Sequence, residues 1–299
     1  MTEIKKSGII GIIGKPNVGK STLLNQLLGY KVSITTRKPQ TTRHRIHGIK
    51  TVGDSQMIFA DTPGLHNNEK KAMNRYLNRA ASGVIFDVDV IVFLVSAKRW
   101  TEEDDFVLEK LEDVKQPVIL VVNKIDYVPQ REELLPVLEQ YGKKRAFQTI
   151  IPLSALKGDN VKHLESYLLA QLPEGPAFYP EDQVSDKSER FHAAELIREK
   201  LTRSLGKELP YSLTVEIEEF KMEKKMRKIR AIIWVERDSQ KAIVIGKRGE
   251  GLKNVGSQAR KDMEDWFGQK VFLGLWVKTK ENWSDDERAL QSLGYQTLE

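Results

Sequence analysis

Cysteine is absent from the 299-residue sequence, and its absence removes whole classes of structure and chemistry. Without cysteine there is no disulfide scaffold, no thiolate metal site and no cysteine nucleophile. Histidine is scarce as well, because only five are present and they are scattered along the chain, which argues against a histidine metal cluster. These features are typical of a reducing compartment, and we expect a cytoplasmic protein.

Long apolar runs are also missing. The longest runs, such as 90–95 and 118–122, are far below the roughly 18 residues that span a bilayer. The first residues, Met-Thr-Glu-Ile, have no basic start followed by a long apolar stretch, so we expect no signal peptide. With 40% hydrophobic and 30% charged residues, the composition is that of a globular protein, and its length suggests two domains.

The net charge of +6 is distributed unevenly. Residues 221–280 contain 16 Lys and Arg against 7 Asp and Glu, a local charge of +9, which leaves −3 for the rest of the chain. A charged run is often only a solvated face. Its confinement to one late segment instead indicates a site for a polyanion in the second domain.

The first half of the chain alternates short apolar strands with helices. This order predicts an α/β domain with a mostly parallel sheet and helices on both faces. Strands are predicted at 9–13, 57–60, 90–95, 117–122 and 149–153, and helices at 20–28, 102–111 and 132–141. Three prolines and a glycine within 173–180 predict a linker, which places the domains at 1–172 and 181–299.

The second half has the order α-β-β-α-α-β, which predicts an α+β domain. The predicted elements are 189–205, 212–220, 228–236, 241–245, a helix after Gly249, and 271–277. The apolar face of the helix after Gly249 is interpreted as core and not as ligand surface, and so are two tryptophans; these residues are Leu252, Val255, Ala259, Met263, Trp266 and Trp276.

A glycine-rich loop follows the first predicted strand and opens the first helix. The segment Gly14-Lys15-Pro16-Asn17-Val18-Gly19-Lys20-Ser21 fits the P-loop pattern in the structural context that pattern requires. Backbone N–H groups of such a loop surround the β-phosphate, and the helix N-terminus adds positive potential. We expect Lys20 to reach the β- and γ-phosphates and the Ser21 hydroxyl to ligate Mg²⁺.

Two further segments predict the remainder of a magnesium and γ-phosphate site. Asp61-Thr62-Pro63-Gly64 ends an apolar strand, so Asp61 would serve the Mg²⁺ shell and the Gly64 N–H would meet the γ-phosphate. In the polar loop 35–47, the segment Thr41-Thr42-Arg43 could bring a hydroxyl to Mg²⁺ when GTP is bound. A merely flexible loop is the alternative interpretation there.

Two motifs predict guanine recognition. Asn123-Lys124-Ile125-Asp126 follows a strand, and the carboxylate of Asp126 could accept hydrogen bonds from N1 and N2 of guanine, a donor pair that adenine lacks. Ser154-Ala155-Leu156, after the next strand, would supply a backbone N–H to guanine O6. Ligands bind at the carboxyl edge of open α/β sheets, where all these motifs fall.

A second glycine motif, Gly246-Lys247-Arg248-Gly249, lies in the basic segment between two predicted helices. Glycines at a helix junction are often only caps. The two cations between the glycines, the order of elements and the local charge together indicate a KH domain. The G-x-x-G loop of a KH domain lets a nucleic-acid backbone approach closely.

Taken together, these motifs resemble the Era family of bacterial GTPases. The resemblance rests on Gly-Lys-Pro-Asn-Val-Gly-Lys-Ser-Thr-Leu-Leu-Asn from Gly14, Gln-Thr-Thr-Arg-His-Arg from Gln40, Asp-Thr-Pro-Gly-Leu from Asp61 and Asn-Lys-Ile-Asp from Asn123. In the second half, Leu-Pro-Tyr-Ser from Leu209 and Val-Ile-Gly-Lys-Arg-Gly from Val244 resemble the family's type II KH domain. The match runs from about Lys6 to Tyr295.

The resemblance implies a GTP-hydrolysing switch that cycles between GTP and GDP. It implies binding to the 3′ end of 16S ribosomal RNA, a role in assembly of the 30S subunit, and weak peripheral association with the inner membrane; we expect a monomer. The family's nucleotide site falls on Gly14–Ser21, Thr42, Asp61–Leu65, Asn123–Asp126 and Ser154–Leu156.

Leu65 occupies the position where Ras-type GTPases place the glutamine that orients water. Leucine cannot do this, and the resemblance implies that a potassium ion, held partly by Asn17, takes part in hydrolysis. Arg43 and Arg45 are not evident arginine fingers, so slow intrinsic turnover is expected.

Two other functions stay open from the sequence. One is an RNA-binding assembly factor in which GTP is mainly a structural ligand. The other is a related GTPase that acts in tRNA modification or on a protein partner. The single P-loop and the absence of cysteine argue against the double-GTPase and the tRNA-modifying relatives, respectively.

Overall fold

The computed structural model describes residues 4–65, 71–206 and 209–295, which form two compact units. Of these residues, the first unit contains 4–33, 42–65 and 77–186, and the second contains 34–41, 71–76 and 187–295. In neither unit do the described helices include one that is long and apolar enough to cross a bilayer.

The first unit is built on a six-stranded sheet with the strand order β2-β3-β1-β4-β5-β6. Only β2 is antiparallel to its neighbour. The strands are β1 (Lys6–Ile13), β2 (Ile46–Val52), β3 (Ser55–Asp61), β4 (Val90–Ser96), β5 (Val118–Asn123) and β6 (Thr149–Pro152). The helices are α1 (Lys20–Leu28), α2 (Ala72–Ile85, of which 77–85 belong here), α3 (Glu102–Glu109), α4 (Leu134–Gly142) and α5 (Val161–Gln171).

Burial of the central strands explains why their sequences are continuous apolar runs. Every residue of β3, β4 and β5 is buried, as expected for strands that are covered on both faces. Ile10 and Ile12 of β1 pack with helix α1 in one apolar cluster, and Phe93 of β4 belongs to a second cluster. The predicted α/β architecture is confirmed, and it brings the carboxyl ends of β1, β3, β5 and β6 to one edge of the sheet.

The sequence interpretation missed the antiparallel edge strand β2 and placed the second strand at β3. β2 is only partly buried, and its last residue, Val52, is exposed. A tight turn at Gly53 and Asp54 joins β2 to β3, with Val52 paired to Ser55.

The proline-rich segment 173–180, predicted to be a linker, is hydrogen-bonded to the first unit. The N–H of Ser7 donates to the carbonyl of Pro173 at 3.1 Å. Oε1 of Gln56, a buried side chain, accepts the N–H groups of Phe178 and Tyr179 at 2.9 and 3.0 Å. The first compact unit continues through this segment to residue 186.

The second unit contains the predicted α-β-β-α-α-β order. Its sheet has the strand order β7-β8-β9, antiparallel between β7 and β8 and parallel between β8 and β9. Its elements are α6 (Glu189–Ser204), β7 (Leu213–Glu223), β8 (Met226–Val235), α7 (Asp238–Ile245), α8 (Glu250–Phe267), β9 (Val271–Thr279) and a short α9 (Glu287–Ser292).

Helix α8 supplies much of the core of the second unit. Val255, Ala259 and Met263 are spaced four residues apart, so they lie on one face of the helix, and all three are buried as predicted. They pack with Ile229 and Ile233 of β8 in one apolar cluster.

Candidate nucleotide site and nucleic-acid groove

Residues 14–19 form the loop between β1 and α1, so the predicted strand–loop–helix context is confirmed. Lys20 is the first residue of α1, and its side chain is buried beneath the loop. Nζ of Lys20 donates to the carbonyl oxygens of Gly14 at 2.9 Å and Lys15 at 3.0 Å. The loop backbone therefore holds this ammonium group in the concave side of the P-loop.

The electrostatics of Lys20 are set by two opposing effects. Burial lowers the pKa of Lys20 to about 8, and the nearby carboxylate of Asp61 opposes part of that shift. A lowered pKa means that the protein surroundings stabilise the positive charge of this ammonium group less well than water does. It would gain stabilisation from the negative charge of a bound phosphate group.

Three residues that the sequence assigned to magnesium lie together. The hydroxyl oxygens of Ser21 and Thr42 are 2.7 Å apart. Ser21 Oγ donates to Oδ2 of Asp61 at 2.8 Å, and Thr42 Oγ1 lies 3.4 Å from the same oxygen. Ser33, which the sequence interpretation missed, also donates to Oδ2 at 2.8 Å. No local motif marked Ser33, because its contact joins residues 28 positions apart.

The other carboxylate oxygen of Asp61 provides a test of whether these residues suit a cation. Oδ1 is buried, and no described residue donates a hydrogen bond to it. Burial raises the pKa of Asp61, while the hydroxyl groups of Ser33, Ser21 and Thr42 and the charge of Lys20 act in the opposite direction. Hydroxyl and carboxylate oxygens are hard ligands of the type that Mg²⁺ prefers, so the residues present fit a magnesium ion.

The segment after Asp61 approaches the P-loop closely. Thr62 Oγ1 donates to the carbonyl of Ile12 at 3.1 Å, which ties this segment to β1. At Gly64, a Cβ atom would lie only 2.7 Å from the backbone nitrogen of Pro16, so a larger residue would displace one of the two segments. The Leu65 side chain is buried in the apolar cluster that contains Phe93.

Asn123 connects the P-loop to the two predicted guanine-recognition loops. Its Nδ2 donates to the carbonyl of Val18 at 2.9 Å. Its Oδ1 accepts the N–H groups of Lys124 at 2.7 Å and Ala155 at 2.9 Å. The buried Asn123 amide thereby fixes the mutual position of the three loops.

Asp126 and the 154–156 loop are joined directly. Ser154 Oγ donates to Oδ1 of Asp126 at 2.6 Å, and Asp126 itself is exposed. Leu156 is 69% exposed at the same edge of the sheet. The arrangement fixes one oxygen of Asp126 and leaves its carboxylate accessible to a ligand.

Asn17 and Lys124 meet at the mouth of the P-loop. Nζ of Lys124 donates to the main-chain carbonyl of Asn17 at 2.6 Å, and burial lowers the pKa of Lys124, with further lowering by Lys98 and Lys15. Asn17 has a positive φ of 59° and is exposed. Within the described residues, nothing hydrogen-bonds to its side-chain amide.

In the second unit, the Gly246–Gly249 motif forms the sharp connection between α7 and α8. Gly246 has φ 73° and Gly249 has φ 80°, and Arg248 between them also has a positive φ of 52°. A Cβ atom at Gly246 would lie 3.0 Å from the nitrogen of Gly251. The exposed side chains of Lys247 and Arg248 project from this turn.

A groove with a volume of about 450 Å³ begins at this turn. It is lined by Gly249, Leu252, Lys253, Gly256, Ser257, Arg260, Leu273 and Leu275. Apolar side chains form its floor, and Lys253 and Arg260 place positive charge beside it. The small residues Gly256 and Ser257 leave room between α8 and β9.

Most of this groove was missed from the sequence. Leu252, interpreted as core, is partly buried against the core cluster and also lines the groove. Lys253 and Arg260 are seven residues apart and therefore lie on one face of the helix. This spacing was the sequence feature from which a basic groove beside α8 could have been predicted. Trp266 is partly buried against the core, as expected.

The prediction that Trp276 is a core residue was wrong. Trp276 is 46% exposed because it lies on the outward face of β9, where its ring covers Gly274 and Arg230 stands over it at 5.8 Å.

Comparisons with known proteins agree with both halves of this architecture. Residues 9–124 match a family model described as 50S ribosome-binding GTPase, and residues 208–284 match a KH domain. GTPase Era of Marinobacter nauticus is 58% identical over 289 residues, which is 97% of this chain and 95% of that relative. GTPase Era of Ectopseudomonas mendocina is 56% identical over 292 residues and 98% of each chain.

Two solved structures have the same fold throughout. One is Era in complex with MgGDPNP and nucleotides 1506–1542 of 16S ribosomal RNA, with a TM-score of 0.94 and 39% identity. The other is a variant of Aquifex aeolicus Era bound to GDP and AlF4⁻, with a TM-score of 0.94 and 38% identity. Each alignment covers 97% of this chain and 99% of the solved chain.

Proposed function

Because this chain is a GTPase of the Era family, we propose that its GTP and GDP states control binding of the 3′ end of 16S ribosomal RNA. In this proposal the KH domain binds the RNA, and the protein assists assembly of the 30S subunit. The observation that carries the RNA assignment is the groove that opens from Gly246–Gly249 and is flanked by Lys253 and Arg260. A polyanion with unstacked bases fits a groove of this kind.

The first unit binds the nucleotide through its loops. The P-loop backbone surrounds the phosphates, and Lys20, already held by the carbonyls of Gly14 and Lys15, neutralises the β- and γ-phosphates. In this proposal the Gly64 N–H donates to the γ-phosphate from a segment that lies close to Pro16.

Ser21, Thr42 and Asp61 would hold Mg²⁺. The ion, when bound, neutralises negative charge that develops on the phosphate oxygens during transfer. Ser33 keeps Oδ2 of Asp61 in place through its hydroxyl, which leaves Oδ1 directed away from these hydrogen bonds.

Guanine selectivity rests on Asp126, oriented by Ser154. An ionised carboxylate accepts hydrogen bonds only, so it pairs with the two N–H donors at N1 and N2 of guanine and not with adenine. The 154–156 loop supplies the backbone N–H for guanine O6, and Asn123 keeps this loop beside the P-loop.

Hydrolysis requires a group that replaces the missing glutamine, since Leu65 is buried in the core. The exposed amide of Asn17, with no hydrogen bond from the described residues, supports the assignment of a potassium ion at this position. An amide oxygen is a suitable ligand for such a hard cation.

The proposal is tested by crosslinking the protein to ribosomal RNA and sequencing the bound fragments, first with GTP and then with GDP. We expect crosslinks concentrated within nucleotides 1506–1542 and a yield that changes with the nucleotide. Crosslinks to other RNA regions or to tRNA would overturn the assignment. Equal yields in both states would favour the alternative in which GTP is mainly structural.

Three finer features remain predictions, the last of them implied by the resemblance. These are a monomeric state, a cytoplasmic location and weak peripheral association with the inner membrane. Sedimentation of the purified chain tests the first, and fractionation of cells followed by flotation of membranes tests the other two.

A further inference from the structure

The tip of the β7–β8 hairpin, residues 221–228, is not part of the groove, yet it holds much of the excess positive charge. It contains the basic residues Lys221, Lys224, Lys225, Arg227 and Lys228 and a single acidic residue, Glu223, for a net charge of +4. We call these eight residues the hairpin tip. Its two methionines, Met222 and Met226, are 53% and 39% exposed.

The turn of the hairpin tip is an unusual place for lysine. Glu223 pairs with Met226, so Lys224 and Lys225 form a two-residue turn, and both have positive φ, 46° and 69°. Asn-Gly and Asp-Gly are the favoured residues for a turn with this backbone, because other side chains crowd the left-handed region. Stability of the hairpin therefore does not explain the two lysines.

Solvation of the surface does not explain them either, because an Asn-Gly or Asp-Gly turn would be equally polar. The other cations of the tip are engaged: Lys221 lies 2.6 Å from Glu219, Lys228 lies 3.2 Å from Glu223, and Arg227 pairs with Glu189. Lys224 and Lys225, by contrast, are exposed and form no ion pair with any residue that the structure describes. These two charges are adjacent in a two-residue turn.

The hairpin tip lies at the end of the unit toward which the groove runs. The groove follows α8 from Gly249 to Arg260, about 16 Å at 1.5 Å per residue. At the far end of α8, the guanidinium of Arg227 lies 4.5 Å from the ring centroid of Phe267. The neighbouring Lys270, whose side chain is 82% exposed, also lies at this end, with its Nζ 4.0 Å from a carboxylate oxygen of Glu264.

We infer that the hairpin tip is a second RNA-contact site, where Lys224 and Lys225 bind phosphates of the RNA segment that leaves the groove beyond Arg260. A KH loop clamps about four nucleotides, so a longer RNA must continue past the groove. Lysines bind phosphates as point charges without reading the bases, which suits a backbone contact. This inference rests on the proposed binding of RNA by the KH domain.

The test replaces the turn by the residues its backbone favours, in the double variant Lys224→Asn/Lys225→Gly. Because Asn-Gly suits the turn, the melting temperature should be unchanged or higher, and GTP hydrolysis should be unchanged. Affinity for a 16S fragment of nucleotides 1506–1542 should fall by about 5- to 25-fold at 0.1 M salt. The slope of log K against log salt should decrease by about 1.4, for two phosphate contacts on single-stranded RNA.

Three controls accompany this measurement. A single-stranded RNA of four nucleotides, which fills only the groove, should bind the double variant as well as it binds the wild type. The charge-retaining variant Lys224→Arg/Lys225→Arg should keep wild-type affinity for the long fragment. Lys143→Gln/Lys162→Gln, which removes the same charge from exposed positions of the first unit, should also bind normally.

The inference is overturned if the double variant binds the long fragment with wild-type affinity and salt slope. It is equally overturned if the short RNA loses as much affinity as the long one. Loss of binding to vesicles containing phosphatidylglycerol, with RNA binding unchanged, would assign the tip to lipid instead. Failure of the wild type to bind either RNA would refute the proposed function itself, which is a different result.

Discussion

Oδ2 of Asp104 lies 2.7 Å from Nζ of Lys15, which places a buried carboxylate of α3 against a P-loop lysine. Asp104 is fully buried, and its Oδ2 also accepts the N–H of Thr101 at 2.9 Å. The carbonyl of Lys15 accepts a hydrogen bond from Nζ of Lys20. The ion pair between Lys15 and Asp104 therefore supports the segment that positions the phosphate-binding lysine.

We expect Asp104→Ala to destabilise the first unit by about 3 kcal/mol, because it leaves a largely buried ammonium without its partner. Nucleotide affinity should fall as well, through the altered backbone at Lys15. Chemical denaturation and binding of a fluorescent GDP analogue measure the two effects. Glu165→Ala, which breaks the partly exposed Lys50–Glu165 pair at 2.6 Å, is the matched control and should have an effect below about 1 kcal/mol.

The pKa of Lys20 predicts how nucleotide affinity depends on pH. With a pKa of about 8 in the free protein, Lys20 loses its proton as the pH rises through 8. Bound phosphates raise this pKa, so binding above pH 8 must take up a proton, and affinity should fall by up to about tenfold per pH unit. Below about pH 7 this residue should contribute little pH dependence, because it is then almost fully protonated in both states.

The measurement is GDP affinity between pH 7 and 9, with proton uptake obtained by calorimetry in buffers of different ionisation enthalpy. Lys20→Arg keeps a charge throughout this range and should remove the proton uptake. A wild-type affinity that stays constant up to pH 9 would show that Lys20 is not the titrating group.

The orientation of Asp126 by Ser154 predicts a switch of base selectivity. Asp126→Asn replaces an acceptor oxygen by an NH₂ donor, so guanine should lose a hydrogen bond and xanthine, with a carbonyl at position 2, should gain one. Competition between GTP and XTP measures this preference. An unchanged preference for GTP would remove Asp126 from base recognition.

Hydrolysis is expected to depend on a monovalent cation, because Leu65 is buried and cannot orient water. Turnover should be faster in potassium than in sodium, and Asn17→Ala should abolish the difference. For comparison, an arginine finger contributes roughly 10³–10⁵-fold to turnover. Equal rates of phosphate release in both salts would contradict this assignment.

The sequence was most informative where neighbouring residues perform one task. The P-loop, the Asp61 segment and the Asn123–Asp126 motif each follow a buried strand, and parallel strands bring their carboxyl ends together without further information. Ser33 and Asp104 were missed because neither belongs to a local motif. Each acts through a partner far away in the chain, and a lone serine or aspartate carries no local signal.

Elements at the edges and outer faces were harder to predict. An alternating strand shows that two faces differ, but it does not show which face a helix covers. Trp276 was therefore assigned to the core, although it covers Gly274 on the open face of β9. The proline-rich segment 173–180 had the composition of a linker, and the hydrogen bonds that tie it to the first unit come from Ser7 and Gln56, more than 100 positions earlier.

The final prediction separates RNA binding from hydrolysis. Gly246→Asp should abolish binding of the 1506–1542 fragment, because a side chain would block the approach of the backbone and a carboxylate would repel phosphate. Lys247→Ala and Arg248→Ala should weaken binding more mildly, each lowering the salt slope by the equivalent of about one phosphate contact or less. Basal GTP hydrolysis without RNA should be retained in all three variants, whereas Lys20→Ala should eliminate it.

RNA titrations at several salt concentrations and a phosphate-release assay on the same preparations test this separation. The two alanine variants keep the test valid if Gly246→Asp does not fold. Their sites are exposed and both glycines stay in place, so these variants should remain folded. If Gly246→Asp is folded and binds RNA as the wild type does, the G-x-x-G turn is only a junction between α7 and α8. The basic charge of 221–280 would then have to contact RNA through another face of the domain.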